Sequence, residues 1–242
     1  MNESSQHIAS VFDRDLETVH AQIMKMGGLV EQAILDAADS LDSRDEEQAE
    51  RVRESDRAVD DLEELINDEC ARLIALRQPT AVDLRLVLSV MKISGNLERI
   101  GDYAKNMAKR TGVLLQMAPI DGATVSLKRM ARDVQLMLKD ALDAYIHRDA
   151  ELAMDVIHRD RDVDQLYNAL FREFLTFMME DPRNITACMH LHFIAKNIER
   201  VGDHATGIAE QVIYLVKGAL PDTERPKADA TALPVPNGPP QS

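Results

Sequence analysis

Four pairs of carboxylates stand four residues apart in this chain: Asp56 and Asp60, Glu98 and Asp102, Asp160 and Asp164, and Glu199 and Asp203. On a helix, positions i and i+4 share a face with Cβ atoms about 5–6 Å apart, so each pair projects two like charges that repel. A cation relieves that repulsion. Carboxylate oxygens are the ligands of hard or borderline cations such as iron, manganese, magnesium and calcium, and helical bundles hold carboxylate metal clusters on facing helices. Two acidic edges turned toward each other would gather Asp56, Asp60, Glu98 and Asp102 into one oxygen-rich site. Asp160, Asp164, Glu199 and Asp203 would form a second. The competing reading is a solvated charged face, because acidic residues beside an apolar seam usually pair with Lys or Arg, and Arg57, Arg99, Arg161 and Arg200 adjoin these positions. For one pair the solvated face is the simpler account. Four pairs in duplicate favour a cation site.

The duplication is explicit. Asn96-Leu97-Glu98-Arg99-Ile100-Gly101-Asp102 returns as Asn197-Ile198-Glu199-Arg200-Val201-Gly202-Asp203, displaced by 101 positions, and Leu84 to Arg110 aligns without a gap on Ile185 to Gln211. Upstream the displacement is 104: Asp56-Arg57-Ala58-Val59-Asp60-Asp61-Leu62 falls on Asp160-Arg161-Asp162-Val163-Asp164-Gln165-Leu166, and Asp45 on Asp149. The change of offset places a small length difference in the turns near Pro79 and Pro182. Gly101 and Gly202, each just before the motif Asp, cost about 1 kcal/mol of helix propensity relative to Ala. Their presence points to a close backbone approach or to room for a cluster.

Apolar residues step by threes and fours through six segments, which predicts an all-α protein of two tandem antiparallel three-helix bundles. The first helix carries Phe12, Leu16, Val19, Ile23, Met26, Val30, Ala33, Ala37 and Leu41. The second starts at Ser43 or Asp45, runs through Val52, Val59, Leu62, Ile66, Leu73 and Leu76, and stops before Pro79, which cannot continue it. The third starts near Thr80 to Asp83 and ends around Pro119 to Gly122. The second half repeats the plan with roughly Ala123 to His147, Asp149 to Glu180 and Asn184 to Lys217. The domain reading is therefore 1–119 and 120–217, followed by a Pro-rich tail, 218–242, too poor in large apolar residues to offset its ordering entropy and expected to be disordered.

Composition narrows the class. A chain of 242 residues, 45% hydrophobic, can bury one sizeable core or two small ones. Aromatic residues make up only 4% and Trp is absent, a profile of helices rather than of a β-sandwich or barrel. A net charge of −14 argues against nucleic-acid binding and against adsorption to anionic lipid. The opening Met1-Asn2-Glu3-Ser4 has no basic n-region, and no apolar run approaches the roughly 20 residues of a membrane span. A cytoplasmic protein without direct membrane insertion is expected. Cys70 and Cys188 have no metal or redox spacing and read as reduced core residues.

Two other function classes compete with a cation-binding adaptor. Glu17-Thr18-Val19-His20 fits the Glu-x-x-His of a carboxylate-bridged di-metal oxidoreductase or ferroxidase, but Asp121 and Thr124 stand at the equivalent positions of the second half and that architecture needs the motif twice. His190 and His192 read as surface or packing residues. The remaining class is a purely structural helical interaction protein. No Ser/His/Asp array, Cys nucleophile or phosphate-cradling glycine loop is present, so an enzyme is not expected.

The signatures Glu98-Arg99-Ile100-Gly101-Asp102 and Glu199-Arg200-Val201-Gly202-Asp203, the Asp-x-x-x-Asp pairs and the opening Phe12-Asp13-Arg14-Asp15-Leu16 resemble the PhoU family of bacterial phosphate-transport accessory proteins over about residues 5 to 217. The resemblance implies two three-helix bundles with metal on acidic helix faces; an iron cluster, manganese, zinc or magnesium are the candidates. It implies a homodimer and a negative regulator of the phosphate regulon that links the ATPase-bearing phosphate ABC importer to a phosphate-sensing histidine kinase. Asn106 continues the first acidic stripe where its counterpart is Gly207, so the two sites are expected to differ in ligand count or metal.

Overall fold

The turns that join the helices are written in the sequence twice. Arg44 adopts a left-handed φ of 57° and Arg148 one of 52°. In each case the following residue, Asp45 or Asp149, is the N-cap of the next helix. The Asp45 carboxylate accepts from the backbone N–H of Gln48, and that of Asp149 from those of Glu151 and Leu152. A short side-chain oxygen at this position satisfies N–H groups that have no partner inside the helix. The two turns are also closed alike, by Asp45 N–H to Ser40 C=O and Asp149 N–H to Ala144 C=O.

The computed structural model describes residues 3–221, with side chains from residue 14. The helices are α1 (Glu3–Ser43), α2 (Glu46–Arg77), α3 (Ala81–Leu114), α4 (Ala123–His147), α5 (Ala150–Glu180) and α6 (Ile185–Lys217), with a short 3₁₀ turn Pro182–Asn184 before α6. Phe12 of the expected first seam, the opening residues Met1 and Asn2, and the tail beyond residue 221 lie outside what is described. The predicted starts at Asp45, Asp149 and Asn184 are the residues just before the helices rather than their first residues.

The unequal offset has a physical site. Between α2 and α3 the chain passes through Gln78, in left-handed conformation at φ 47°, then Pro79 and Thr80. Between α5 and α6 only Asp181 precedes the 3₁₀ turn. By the displacement of 101, that turn stands where α3 has its first turn. Pro182 suits it because a first helical position has no partner for its N–H. At the other end of the chain, Gly218 takes φ 80° and its N–H bonds Tyr214 C=O, which closes α6.

Helices α1, α3, α4 and α6 pack on one another as a central layer that spans both halves; α2 covers α1 and α3, and α5 covers α4 and α6. Within each half the three helices are mutual neighbours. Their apolar stripes join in one continuous core that runs from Val19 through Ile100 and Val134 to Ile213. Leu76 differs from the expected seam: it is 63% exposed, because the buried stripe Leu62, Ile66, Cys70, Leu73 steps on to position 77, where Arg77 is half-buried and pairs with Asp15 of α1. Among the described residues no helix is long and apolar enough to cross a membrane.

Candidate metal centres

Asp56 sits on the buried seam of α2, between Val52 and Val59, and is itself buried. It fits there because Gly101 faces it from α3. A Cβ at Gly101 would lie 3.3 Å from Val59 Cγ1 and 3.5 Å from Asp56 Oδ1. The second half repeats the contact: a Cβ at Gly202 would lie 3.1 Å from Asp160 Oδ1 and 3.5 Å from Val163 Cγ1. Each motif glycine is therefore the place where the flanking helix carries its carboxylate against the central layer. The two acidic edges of each half do meet.

In the first cluster Asp56 is buried, Glu98 and Asp102 are half-buried, and Asp60 is exposed. Lys105 stands in the middle, its Nζ 2.5 Å from Asp56 Oδ2 and 3.9 Å from Asp102 Oδ1. Arg99 approaches from outside, at 3.4 Å from Glu98 and 3.7 Å from Asp102. The remaining negative charge shows in the proton affinities. Although Asp60 is exposed as a residue, partial desolvation of its carboxyl and then the Asp56 charge raise its pKa. Burial and then the Asp102 charge raise that of Glu98. Its hydrogen bond to Asp56 raises the pKa of Lys105, so that ammonium keeps its proton firmly. The cluster opens onto a groove of about 640 Å³ lined by Asp60, Glu63, Glu64, Asn67, Asp68, Glu98, Arg99 and Asp102.

The second cluster lies deeper. Asp160, Asp164 and Glu199 are buried, at 8%, 4% and 4% exposure, and Asp203 is half-buried. Lys196 brings its Nζ to 2.8 Å from Glu199 Oε1 and lies 4.9 Å from the Tyr167 ring. Glu199 Oε2 is buried without a hydrogen-bond partner. Burial is the main cause that raises the Glu199 pKa, and the Asp203 and Asp164 charges add to it against the pull of Lys196.

All eight carboxylates singled out in the sequence thus belong to one of two clusters, one per half. Their donor set is entirely oxygen, which suits iron, manganese or magnesium better than zinc, whose sites favour nitrogen and sulfur. The unpartnered, buried oxygen of Glu199 suits a cation. Among the described residues, however, no three His, Cys, Asp or Glu side chains already stand in ligand geometry; lysine ammoniums take up part of the negative charge instead. Lys105 and Lys196 were not singled out in the sequence. Their signal was present, since Lys105 follows Asp102 by three and Lys196 precedes Glu199 by three, which puts each on the acidic face.

The weaker candidates pack. His20 stacks on Tyr145 at 5.1 Å between ring centroids, and burial lowers its pKa. His192 lies against Tyr167 and Phe171 at 5.7 and 5.4 Å. His190 Nδ1 is 3.3 Å from Arg110. Cys70 and Cys188 are free and buried, and burial pushes the Cys70 thiol up to about 12.

Fold and site together define a duplicated helical-bundle protein with a carboxylate cluster at the matching seam of each half. The chain belongs to the PhoU domain family, which matches residues 23–111 and 127–212. It is 45% identical over 225 residues to the phosphate-specific transport system accessory protein PhoU homolog of Caulobacter vibrioides, covering 93% of this chain and 98% of that one. The homolog of the same description from Rhizobium meliloti is 44% identical over 229 residues, 95% and 97% of the two chains. The crystal structure of PhoU from Pseudomonas aeruginosa superposes with a TM-score of 0.83 at 42% identity, over 86% of this chain and 100% of that one. The phosphate transport system regulatory protein PhoU from Streptococcus pneumoniae gives 0.80 at 32% identity, over 88% and 100%.

Two tests follow from the geometry. Gly95, also in α3, has open space where a Cβ would go, so Gly95→Ala should stabilise by up to about 1 kcal/mol, the helix propensity gained. Gly202→Ala should gain nothing or destabilise, because its Cβ crowds Asp160. Thermal melts of the two variants moving together would contradict the cradle. The second test is pH. Glu199 holds its proton more tightly folded than unfolded, so its contribution to stability is present near and below the ordinary value of 4.5 and is lost as pH rises through the raised folded value. Melts of metal-free protein between about pH 4.5 and 7 should show a decline with rising pH that Glu199→Gln makes shallower.

Proposed function

We propose that the chain is an accessory protein of phosphate-specific transport, acting as a negative regulator of the phosphate regulon and of phosphate uptake. It would do so as a cytoplasmic homodimeric adaptor between the ATPase subunit of the phosphate ABC importer and the phosphate-sensing histidine kinase, without catalysis of its own. Family membership and the descriptions carried by the relatives support the transport role; the duplicated carboxylate clusters support the metal. The observation that carries the metal reading is the recurrence of one contact, a buried carboxylate against a motif glycine, in both halves.

In this reading Asp56, Asp60, Glu98 and Asp102 hold one multivalent cation or cluster, and Asp160, Asp164, Glu199 and Asp203 hold another. The cation supplies positive charge that ties a flanking helix to the central layer. The residues that would hold it are Asp56 or Asp160 on the flanking helix, with Glu98 and Asp102 or Glu199 and Asp203 on the helix that follows. A second reading, a metal-free helical interaction protein, draws support from Lys105 and Lys196, which already neutralise part of each cluster. The di-metal oxidoreductase draws none, because His20 is engaged with Tyr145.

Elemental analysis of freshly purified protein decides between the two supported readings. Metal is expected, and Glu98→Ala with Asp102→Ala should remove about half of it at saturation; no metal, or an unchanged content in the double variant, rejects the assignment. Deleting the gene should leave the phosphate-starvation response on in phosphate-rich medium. Normal repression in the deletion strain would reject the regulatory role.

A further inference from the structure

We infer that the outer seam between α3 and α6 is a docking surface for an acidic, part-apolar segment of a protein partner, with Arg85, Arg110 and Arg200 as its anchoring cations. It would supply one contact surface of the adaptor proposed above, and no metal takes part in it.

Helices α3 and α6 run antiparallel, and one pairing recurs three times along their outward edge. Arg85 of α3 lies 5.3 Å from the centroid of the Tyr214 ring, Arg200 of α6 lies 5.7 Å from that of Tyr103, and Arg110 of α3 lies 4.2 Å from that of Phe193. As α3 ascends from 85 to 110, α6 descends from 214 to 193. The three pairs therefore form a single stripe about 37 Å long, at the 1.5 Å rise per residue of a helix. Helix α2 packs on α1 and α3, and α5 on α4 and α6, so neither flanking helix spans this seam. Arg200 and Phe193 are exposed, and the other four members are half-buried. Exposed apolar side chains border the stripe: Leu88 and Val113 stand three residues beyond Arg85 and Arg110, and Met189 four before Phe193.

The charge here runs against that of the chain, which is −14 overall. Among the described residues none of the three arginines has a carboxylate at ion-pair distance, although Arg53, Arg77, Arg99, Arg159 and Arg183 all do. Arg110 lies 3.3 Å from His190 Nδ1, and burial with the Arg110 charge lowers the pKa of that imidazole, so the pair keeps one positive charge. An aromatic ring against the face of a guanidinium holds it in place and leaves its N–H edges for a carboxylate, so less side-chain freedom is lost on binding. The anchors stand about 27 and about 10 Å apart along the seam, too far for one small anion to bridge. The apolar border asks for apolar side chains between the partner's carboxylates, and the acidic remainder of the surface repels the continuous charge of a nucleic acid. Carboxylates interleaved with apolar residues on one face of a helix, laid along two antiparallel helices, meet both requirements.

The test titrates the full chain against a fluorescein-labelled helical peptide of about 25 residues with Glu and Leu on one face and Ala elsewhere, long enough to span the stripe, and against its twin with every Glu replaced by Gln. Fluorescence anisotropy should show the Glu peptide binding at least about tenfold more tightly, with the difference shrinking between about 50 and about 300 mM salt. Arg85→Gln with Arg110→Gln and Arg200→Gln should weaken the Glu peptide at least about tenfold and leave the Gln twin unchanged. Arg51→Gln with Arg72→Gln and Arg172→Gln removes the same charge from exposed positions on α2 and α5 and should change neither. Arg200→Gln alone, at an exposed side chain, should weaken the Glu peptide about threefold and keeps the test decisive if the triple variant melts early. Equal affinities for the two peptides, equal losses in the two triple variants, or no effect of Arg200→Gln would overturn the inference. So would self-association in sedimentation velocity that the seam variants abolish, which assigns the seam to a second copy, or displacement of the Glu peptide by a synthetic peptide of residues 222–242, which assigns it to the chain's own tail. The regulatory reading, tested by gene deletion, survives any of these failures.

Discussion

A carboxylate buried at a helix–helix seam must be neutralised, because an isolated charge removed from water costs far more than any single packing contact returns. This molecule has that problem at equivalent places in both halves. Asp56 and Asp160 lie where α2 and α5 pack against Gly101 and Gly202 of the central layer. A Cβ at Gly202 would crowd Asp160 Oδ1 at 3.1 Å, whereas at Gly101 the tight contact is Val59 Cγ1 at 3.3 Å. Around this constraint the rest is arranged. Val59 and Val163 close the apolar side of the contact, and Glu98, Asp102, Glu199 and Asp203 face it from the following helix. The lysines answer it with positive charge.

The duplication is faithful in backbone and unfaithful in environment. The two N-capping aspartates, the left-handed arginines before them and the glycine contacts repeat across the halves. Burial does not, since the second cluster has three buried carboxylates and the first has one. Where α3 and α6 pack between the halves, His204 Nδ1 lies 2.8 Å from Asn96 Oδ1 and the His204 ring lies 5.5 Å from that of Tyr103. A Cβ at Gly207 would come within 2.9 Å of Asn96 Oδ1. Gly207, the departure from the first acidic stripe, is therefore explained by the junction between halves: it makes room for a side chain of α3, and its loss of a polar group beside the acidic edge is secondary.

Much of this was legible in sequence for reasons that can be named. Helix boundaries were readable where a cap or a proline marks them, as at Asp45, Pro79, Asp149 and Pro182, because those residues act within one turn. The pairing of acidic edges was readable because two copies of one pattern constrain each other, and Gly101 and Gly202 carried the same message of close approach twice. Leu76 was not legible because steps of three and of four both fit a helical seam, and here the step after Leu73 is four, to Arg77. Lys105 and Lys196 carry a sequence signal of their own, since their three-residue spacing from Asp102 and Glu199 puts each on the acidic face. The depth of each cluster was not legible at all, since it depends on how α6 is enclosed by α3, α4 and α5 together.

The layered packing gives the clusters their mechanical meaning. The central helices α1, α3, α4 and α6 share one apolar core, so their association rests on burial of hydrophobic surface and changes little with ions. The flanking helices α2 and α5 also contribute apolar residues, such as Ile66 and Phe174, but each carries part of its seam as charge. Along that part, attachment depends on what neutralises the carboxylates. A monovalent ammonium on a flexible stem satisfies one or two oxygens at a time, whereas a multivalent cation can draw several toward one point. The seams between flanking helices and central layer are therefore the parts of this fold whose cohesion depends on how their carboxylates are neutralised, here in part by Lys105 and Lys196.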